Sequence, residues 1–140
     1  MSYLLDTNVL SEVARKVPNP HVLSWFASTP DELLYVSVLT LGEIRKGIDK
    51  IDDTARRERL GLWLEHDVPA WFGSRIVTVD VQVADTWGRL CASMGRPLPV
   101  IDSLLAATAL HYKLRLVTRN GRDFNYPQLM VINPWELMSG

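Results

Sequence analysis

The sequence has little of what membrane, secreted or zinc proteins need. Its single cysteine, Cys91, has no partner for an internal disulfide, so a reducing, cytoplasmic environment is expected. No stretch approaches the roughly 18 uninterrupted apolar residues of a membrane span, and the early Asp6 argues against a signal peptide. The three histidines, His21, His66 and His111, share no spacing typical of a zinc site. We therefore expect a cytoplasmic protein with no membrane partner.

An excess of one charge sign is also missing. Fifteen Lys and Arg residues against 16 Asp and Glu residues give a net charge of -1. Proteins that hold nucleic acid mainly by bulk charge are usually strongly basic, so any nucleic-acid contact here must come from local patches. Hydrophobic residues make up 47% of the 140, which excludes a disordered chain and supplies a core without disulfide or metal. We expect one domain over residues 1–140.

Short apolar runs alternate with segments of helical periodicity along the whole chain. The runs predict strands at Tyr3–Leu5, Leu34–Val38, Arg75–Val79, Leu114–Thr118 and Met130–Ile132. The periodic segments predict helices after Asp6, at Val22–Phe26, Leu41–Ile48, Asp53–His66, Val81–Met94 and Ile101–Tyr112. In the Val81–Met94 helix, one stripe at 3.6-residue spacing is expected to comprise Val81, Ala84, Trp87, Leu90, Cys91 and Met94. The alternation predicts an α/β protein whose mostly parallel sheet is covered by helices on both faces.

Four acidic residues fall where such a fold places ligand sites. Asp6 directly follows the first strand, and Asp123 lies a few residues after the Leu114–Thr118 strand. Glu43 lies off the apolar stripe of its helix. Asp102 occupies a first helical turn, whose partial positive charge favours a carboxylate. Because ligands bind at the carboxyl edge of parallel sheets, we expect these side chains to converge there.

Carboxylates gathered in one cleft repel each other unless cations lie between them, and oxygen-only ligand sets suit Mg²⁺ or Mn²⁺. Such an ion activates water and neutralises a departing oxygen, which indicates metal-assisted phosphodiester hydrolysis. Each acid also has an ordinary interpretation on its own. Asp6 suits a helix cap, Asp102 a first-turn acid and Asp123 a turn, while Glu43 suits a solvated surface.

Four segments carry a resemblance to a known family. They are Tyr3–Glu12, with Asp-Thr-Asn after a strand, Val36–Ile44, Ile101–Ala109, and Leu116–Phe124, with Thr-Arg-Asn followed by Asp-Phe. In this order and spacing, the chain resembles the PIN-domain ribonucleases, most closely the VapC-type and FitB-like toxins of bacterial toxin–antitoxin pairs. The resemblance spans essentially the whole chain and implies a PIN-like three-layer α/β/α sandwich.

The resemblance also implies an activity and its residues. It implies a cytoplasmic RNA endonuclease that needs Mg²⁺, with Mn²⁺ also supporting activity. Asp6 and Asp102 would be the principal metal ligands, with Glu43 supporting the site directly or through water. Several relatives have an acid where this chain has Asn120, so we predict that Asp123, three residues on, completes the catalytic set.

Neighbouring residues are predicted to support the acids or to bind RNA. Side chains expected to orient carboxylates and water are Thr7, Asn8, Thr118 and Asn120, although capping and turn formation explain them equally well. Basic residues expected to contact phosphates are Arg119, Arg122, Arg45 and Lys46, with a solvated helix surface as the alternative. The five tryptophans are expected to pack in the core rather than to stack on bases.

The resemblance implies partners besides RNA. A VapB-like antitoxin would lay an apolar segment into a groove and bring a basic side chain to the acids. We expect this groove between the first helices and the Asp53–His66 helix, lined by Val22, Phe26, Leu60 and Trp63. A homodimer within a larger toxin–antitoxin assembly is expected as well.

Three other functions compete with the nuclease. A haloacid-dehalogenase-like phosphatase needs Asp-x-Asp after the first strand, but Thr7-Asn8 follows Asp6 here. A phospho-receiver module needs a lysine after a late strand, where this chain has Arg119, and Asp80 is a poor phospho-acceptor match. The third is a catalytically silent PIN module that binds RNA or protein. A metal-dependent RNA cleavage assay separates all of them from the nuclease.

Overall fold

A five-stranded sheet organises the structure, a computed structural model that describes residues 1–136. The strands are β1 (Tyr3–Leu5), β2 (Leu34–Ser37), β3 (Ile76–Val77), β4 (Arg115–Val117) and β5 (Val131–Ile132). They lie in the order β3-β2-β1-β4-β5, and every neighbouring pair is parallel. In the central register, Leu5 lies between Val36 and Val117. The predicted mostly parallel sheet is confirmed.

Helices connect the strands. They are α1 (Thr7–Val13), α2 (Pro20–Ala27), α3 (Val38–Asp49), α4 (Thr54–Leu62), α5 (Val68–Phe72), α6 (Val81–Ser93) and α7 (Val100–Tyr112). Short 3₁₀ turns occupy Asp31–Leu33, Gly73–Arg75 and Gly121–Phe124. Across residues 1–136, no helix combines the length and apolar character that crossing a membrane requires.

Alternating side chains of the strands build one core on each face of the sheet. Leu5, Val36 and Val117 contribute to a core that also takes residues from α1 to α5. Leu4 and Leu116 point to the opposite face, where residues of α6 and α7 cover them. This period of two is what a strand buried on both faces requires. The three-layer α/β/α sandwich is therefore confirmed for the described residues; residues 137–140 of the predicted domain lie outside them.

The strand order creates a crevice beside β1. From β1 the chain moves to β2 on one side, and it returns later to β4 on the other side. At such a switch point the connections leave in opposite directions, so the carboxyl ends of the two strands border an open crevice. Asp6 and Thr118 are the first residues after β1 and β4, so both lie at this crevice.

The third strand and the charged helix differ from their sequence predictions. The strand covers two residues instead of Arg75–Val79, because the Arg75 guanidinium donates hydrogen bonds to the Asp31, Leu34 and Trp71 carbonyls from a 3₁₀ turn. The single helix predicted at Asp53–His66 is divided, since a π-helical turn at Trp63–Asp67 follows α4 and leads into α5.

The stripe predicted on α6 is correct at Leu90 and Met94, which belong to or pack against the core, but not in the first turn. Val81 is 84% exposed and Ala84 is exposed as well, whereas Val83 and Leu90 are buried. The Asp80 side chain caps the helix by accepting a hydrogen bond from the Val83 backbone N–H at 2.8 Å. This cap fixes the rotation of the first turn, so the prediction for Val81 and Ala84 was wrong.

Candidate active site

Asp6 is the most buried acid at the crevice, with 7% of its surface exposed. It ends β1 and caps α1: its Oδ1 accepts a hydrogen bond from the Thr7 backbone N–H at 2.7 Å. Its Oδ2 accepts one from the Thr118 hydroxyl, also at 2.7 Å. Burial raises the pKa of the carboxyl, the Thr118 and Thr7 hydrogen bonds oppose that rise, and the charges of Asp123 and Glu43 add to it.

Thr118 is the centre of a hydrogen-bond network that joins β1 to β4. Its hydroxyl accepts from the Asn120 backbone N–H at 3.1 Å and from Asn8 Nδ2 at 3.4 Å. Asn8 Oδ1 in turn accepts from the Arg119 backbone N–H at 3.2 Å. The structure therefore brings together the residues predicted to support the acids, although Thr7 and Asn120 contribute their backbone groups.

Asp102 lies in the first turn of α7, as predicted. Burial raises the pKa of its carboxyl, and the negative charges of Asp6, Asp123 and Glu43 raise it further. Asp123 and Glu43 also act on Asp6. Acids from distant segments thus lie close enough to Asp6 and Asp102 for their charges to act on both.

The position of Asp102 depends on a contact that the sequence analysis missed. Ser103 is fully buried, accepts a hydrogen bond from Trp87 Nε1 at 2.8 Å and donates to the Val100 carbonyl at 3.0 Å. α7 begins after Pro99 without a side-chain cap, so this contact secures its first turn against α6. Helical spacing alone gave Trp87 a packing role and gave no sign of its hydrogen bond.

Tyr126 is a second residue near the acids that the sequence did not reveal. It is 5% exposed, and within residues 1–136 its hydroxyl has no hydrogen-bond partner. Burial raises its pKa; Arg96 opposes that rise, while Asp102, Cys91 and Asp123 reinforce it. The hydroxyl is thus a buried polar group beside Asp102 and Asp123.

The residues present fit a hard divalent cation. In the described part of the chain, no three His, Cys, Asp or Glu side chains are already spaced to coordinate one ion. The acids at the crevice nevertheless offer only oxygen donors, and the pKa values of Asp6 and Asp102 are raised first by burial and then by repulsion from neighbouring negative charges. A divalent cation relieves that repulsion, and Mg²⁺ needs only one or two carboxylates besides water and phosphate oxygens.

A hollow of about 720 Å³ opens next to these acids, between α1, α3 and α4. Its lining includes Thr7, Asn8 and Glu43 on the side of the acids and an apolar floor that contains Ile44, Ile48, Leu60 and Trp63. The cationic side chains that line it are Arg15, Lys16, Arg56, Arg59 and Arg119. Trp135 completes the lining, and the Arg119 guanidinium lies over its ring, 5.1 Å from the centroid.

The structure separates the four basic residues predicted to bind RNA. Arg119 lines the hollow, and Lys46 Nζ lies 3.9 Å from Glu43 Oε2. Arg45 instead pairs with Glu65 at 2.8 Å and with Asp49 at 3.6 Å, in a different depression. Arg122 borders a third depression beside Phe124 and Tyr126. Only Arg119 therefore combines a place in the hollow with hydrogen bonds to the network around Asp6.

A parallel three-layer sandwich with acids at the carboxyl edge of its sheet is the architecture that the resemblance to PIN-domain proteins implied. Residues 3–127 match the PIN domain family, and the chain belongs to that family. It is 36% identical over 136 residues to the plasmid stability protein StbB of Pseudomonas syringae pv. tomato, covering 95% of this chain and 98% of the relative. The toxin FitB of Neisseria gonorrhoeae is 33% identical, with 94% and 97% covered. The VapC ribonuclease Y4jK of Sinorhizobium fredii is 32% identical, with 95% and 97% covered.

Solved structures show the same fold. FitAcB from Neisseria gonorrhoeae superposes with a TM-score of 0.87 at 33% identity, over 96% of this chain and 99% of that one. DNA-bound VapBC from Salmonella typhimurium gives a TM-score of 0.73 at 26% identity, over 96% and 98%. The resemblance drawn from the four sequence segments is thus confirmed at the level of family and fold.

Proposed function

We propose that the chain is a Mg²⁺-dependent endoribonuclease and the toxin of a VapBC-type toxin–antitoxin pair. One observation supports the proposal most: Asp6 is a buried and Asp102 a partly buried carboxyl group beside the switch point, and the charges of Asp123 and Glu43 act on both. The names of two relatives, a toxin and a VapC ribonuclease, support the same function. We further propose that the chain is one PIN domain that acts in the cytoplasm.

The proposed roles follow from the surroundings of each acid. Asp6, Asp102 and Glu43 would hold the cation, and Asp123 would complete the negative charge of the site. When bound, Mg²⁺ or Mn²⁺ supplies Lewis-acid activation of water and neutralises charge on the departing oxygen. Thr118 keeps the Asp6 carboxylate in one orientation through its 2.7 Å hydrogen bond. Arg119 would contact RNA phosphates, and Lys46, which lies beside Glu43, would do so at the edge of the site. For Arg45 and Arg122, which do not line the hollow, RNA contact stays a prediction.

The direct test is RNA cleavage by the purified protein. We expect a mixed single-stranded RNA to be cut internally in Mg²⁺ or Mn²⁺ and to stay intact in EDTA, with the fragments resolved on a sequencing gel. Addition of the cognate antitoxin should suppress the cleavage. Cleavage that persists in EDTA would contradict the metal-dependent mechanism, and intact RNA in both metals would support the silent-module alternative.

We propose that the antitoxin segment covers the apolar floor of the hollow. Leu60 and Trp63 line it, as the sequence predicted. Val22 and Phe26 do not: Val22 is fully buried, and the Phe26 ring packs against Trp25 and Trp71 at 5.1 and 5.7 Å. The second helix uses these side chains for the core, so the groove is narrower than predicted and lies between α1, α3 and α4.

Gly47 offers a test of this docking site. It is an exposed residue within α3 that lines the hollow, and a Cβ atom there would have no heavy atom within 4 Å. Gly47→Ala should therefore stabilise the free protein by about 0.5–1 kcal/mol, because glycine is a poor residue inside a helix. If an antitoxin segment packs against Gly47, the same methyl group should weaken the complex roughly 10-fold, since overpacking costs about 1–3 kcal/mol.

The matched control is Gly88→Ala, at an exposed position of α6 with equally open space. It should give the same stabilisation in urea and leave antitoxin affinity, measured by calorimetry, unchanged. Equal affinities of the two variants would show that the antitoxin does not contact α3 at Gly47. The homodimer implied by the family resemblance stays a prediction, which sedimentation of the purified protein checks.

A further inference from the structure

We propose that the stacked pair Arg119–Trp135 is a docking site for one unpaired nucleobase of the RNA substrate, next to the acids. This inference rests on the proposed ribonuclease function and specifies one group of the RNA that the protein would bind. Arg119 would thus bind a planar base in addition to the phosphate contact proposed for it above.

The first argument is the geometry of the pair. The Arg119 guanidinium lies over the Trp135 ring, 5.1 Å from its centroid, and Arg119 is exposed while Trp135 is partly buried. The guanidinium carbon thus lies over one face of the indole, and both side chains line the hollow. Proteins bind splayed bases of single-stranded RNA by stacking them on aromatic rings and on guanidinium planes.

The second argument is that the fold fixes the backbone of Arg119 from both sides. Its N–H donates to Asn8 Oδ1 at 3.2 Å, and its carbonyl accepts from Asn133 Nδ2 at 3.3 Å. Asn133 Oδ1 also accepts from the Trp135 N–H at 2.9 Å, so one asparagine positions both members of the pair.

The third argument is the position of the pair beside the acids. Asn8, which holds Arg119, also donates to Thr118, and Thr118 donates to Asp6. A base on the pair would therefore place its neighbouring phosphate toward the carboxylates.

The charge of the hollow suits the phosphate backbone of a nucleic acid. Five cationic side chains line it against two acids, Glu12 and Glu43, and Glu12 is engaged by Arg15 at 3.3 Å. Within residues 1–136, Arg56, Arg59 and Arg119 form no ion pair. They are available for the phosphates on either side of the stacked base.

The test measures binding in EDTA, so that cleavage plays no part. Two fluorescein-labelled single-stranded oligoribonucleotides are compared by anisotropy: one of mixed sequence, and one of equal length in which the central nucleotides are abasic. Wild type should bind the base-bearing probe roughly 5- to 150-fold more tightly than the abasic probe. Arg119→Lys keeps the charge but loses the plane, so it should bind both probes alike, at the affinity of wild type for the abasic one.

Trp135→Leu should give the same pattern as Arg119→Lys. The matched control is Arg89→Lys, on the exposed side of α6 and outside the hollow, which should still discriminate between the probes. Melting temperatures establish that each variant is folded; if Trp135→Leu is not, Arg119→Lys alone decides. The inference is overturned if Arg119→Lys keeps full preference for the base-bearing probe. It is overturned as well if both variants keep that preference but lose antitoxin affinity, because the pair would then belong to the protein interface.

A separate assay distinguishes this inference from the proposed function. If wild type cleaves RNA in Mg²⁺ and Arg119→Lys keeps its preference for bases, the nuclease stands and the stacking site fails. If wild type cleaves no RNA in Mg²⁺ or Mn²⁺, the proposed function itself fails.

Discussion

Asp102→Asn is expected to abolish RNA cleavage while making the metal-free protein more stable. Removal of a predicted cation ligand should reduce kcat/KM by more than about 100-fold. Mutation of a residue that only hydrogen-bonds a metal ligand already reduces metal affinity or activity roughly 10- to 100-fold. The amide keeps the shape of the side chain but removes a charge that is partly buried and repelled by Asp6, Asp123 and Glu43. In EDTA at neutral pH the free energy of unfolding should rise by about 0.5–2 kcal/mol, the usual size of such gains.

The stability gain of Asp102→Asn should decrease as the pH falls. Because the pKa of Asp102 is raised in the folded protein above its ordinary 3.8, the folded state binds more protons than the unfolded one between these two values. Wild type therefore loses stability as the pH rises through the folded pKa, and the variant does not. The advantage of Asp102→Asn should be largest at neutral pH and should disappear as the pH falls below the ordinary value.

Asp52→Asn is the control for this prediction. Asp52 lies in the exposed segment between α3 and α4, so its substitution removes the same charge at a distance from the cluster. It should alter neither cleavage nor stability in urea titrations beyond the roughly 0.5 kcal/mol of ordinary surface substitutions. If Asp102→Asn cleaves RNA at the wild-type rate, Asp102 does not have the proposed role in the site. If the variant is less stable than wild type in EDTA, Asp102 is not repelled by the neighbouring acids.

Thr118→Val is expected to damage both stability and activity. Valine matches the shape of threonine but removes the hydroxyl that donates to the buried Asp6 carboxylate at 2.7 Å. Hydrogen bonds to charged groups contribute about 1.5–3 kcal/mol, so the free energy of unfolding should fall by that amount at neutral pH. Activity should fall roughly 10- to 100-fold, as for other residues that orient metal ligands.

The Thr118 substitution has a specific pH signature. Since the hydroxyl lowers the pKa of Asp6 against the effect of burial, its loss should raise that pKa further. Mg²⁺ binding requires the ionised carboxylate, so the rising limb of the kcat/KM profile should move to higher pH. Thr118→Ser restores the hydroxyl and should keep the wild-type profile at a cost of about 1 kcal/mol for the lost methyl group. Identical pH profiles of the two variants would show that the hydroxyl does not control Asp6.

The central sheet and the acids at its edge follow from local patterns in the sequence. Tyr3–Leu5 is an apolar run that ends at a capping acid, and the structure begins α1 directly after Asp6. Asp102 lies in the first turn of α7, where the helical period that begins at Ile101 predicted it. Such positions can be predicted because period, caps and strand ends are properties of neighbouring residues.

Contacts between distant segments could not be predicted in this way. Arg45 forms an ion pair with Glu65, which lies twenty residues further along the chain, and this pair holds Arg45 away from the acids. The Trp87–Ser103 hydrogen bond and the Arg119–Trp135 stack likewise depend on how two elements pack. Hydrophobic periodicity predicts that such aromatic residues face inward, but it does not predict which polar group their edges and faces meet.

The measurement closest to the central claim is cation binding by the protein itself. Mn²⁺ is titrated into wild type and into Asp102→Asn and Asp52→Asn, and free Mn²⁺ is followed by electron paramagnetic resonance at neutral pH. If the distant carboxylates form one cation site, wild type and Asp52→Asn should bind Mn²⁺ with equal affinity, and Asp102→Asn should bind it at least about 10-fold more weakly. Equal affinity of all three proteins would show that Asp102 does not belong to a cation site.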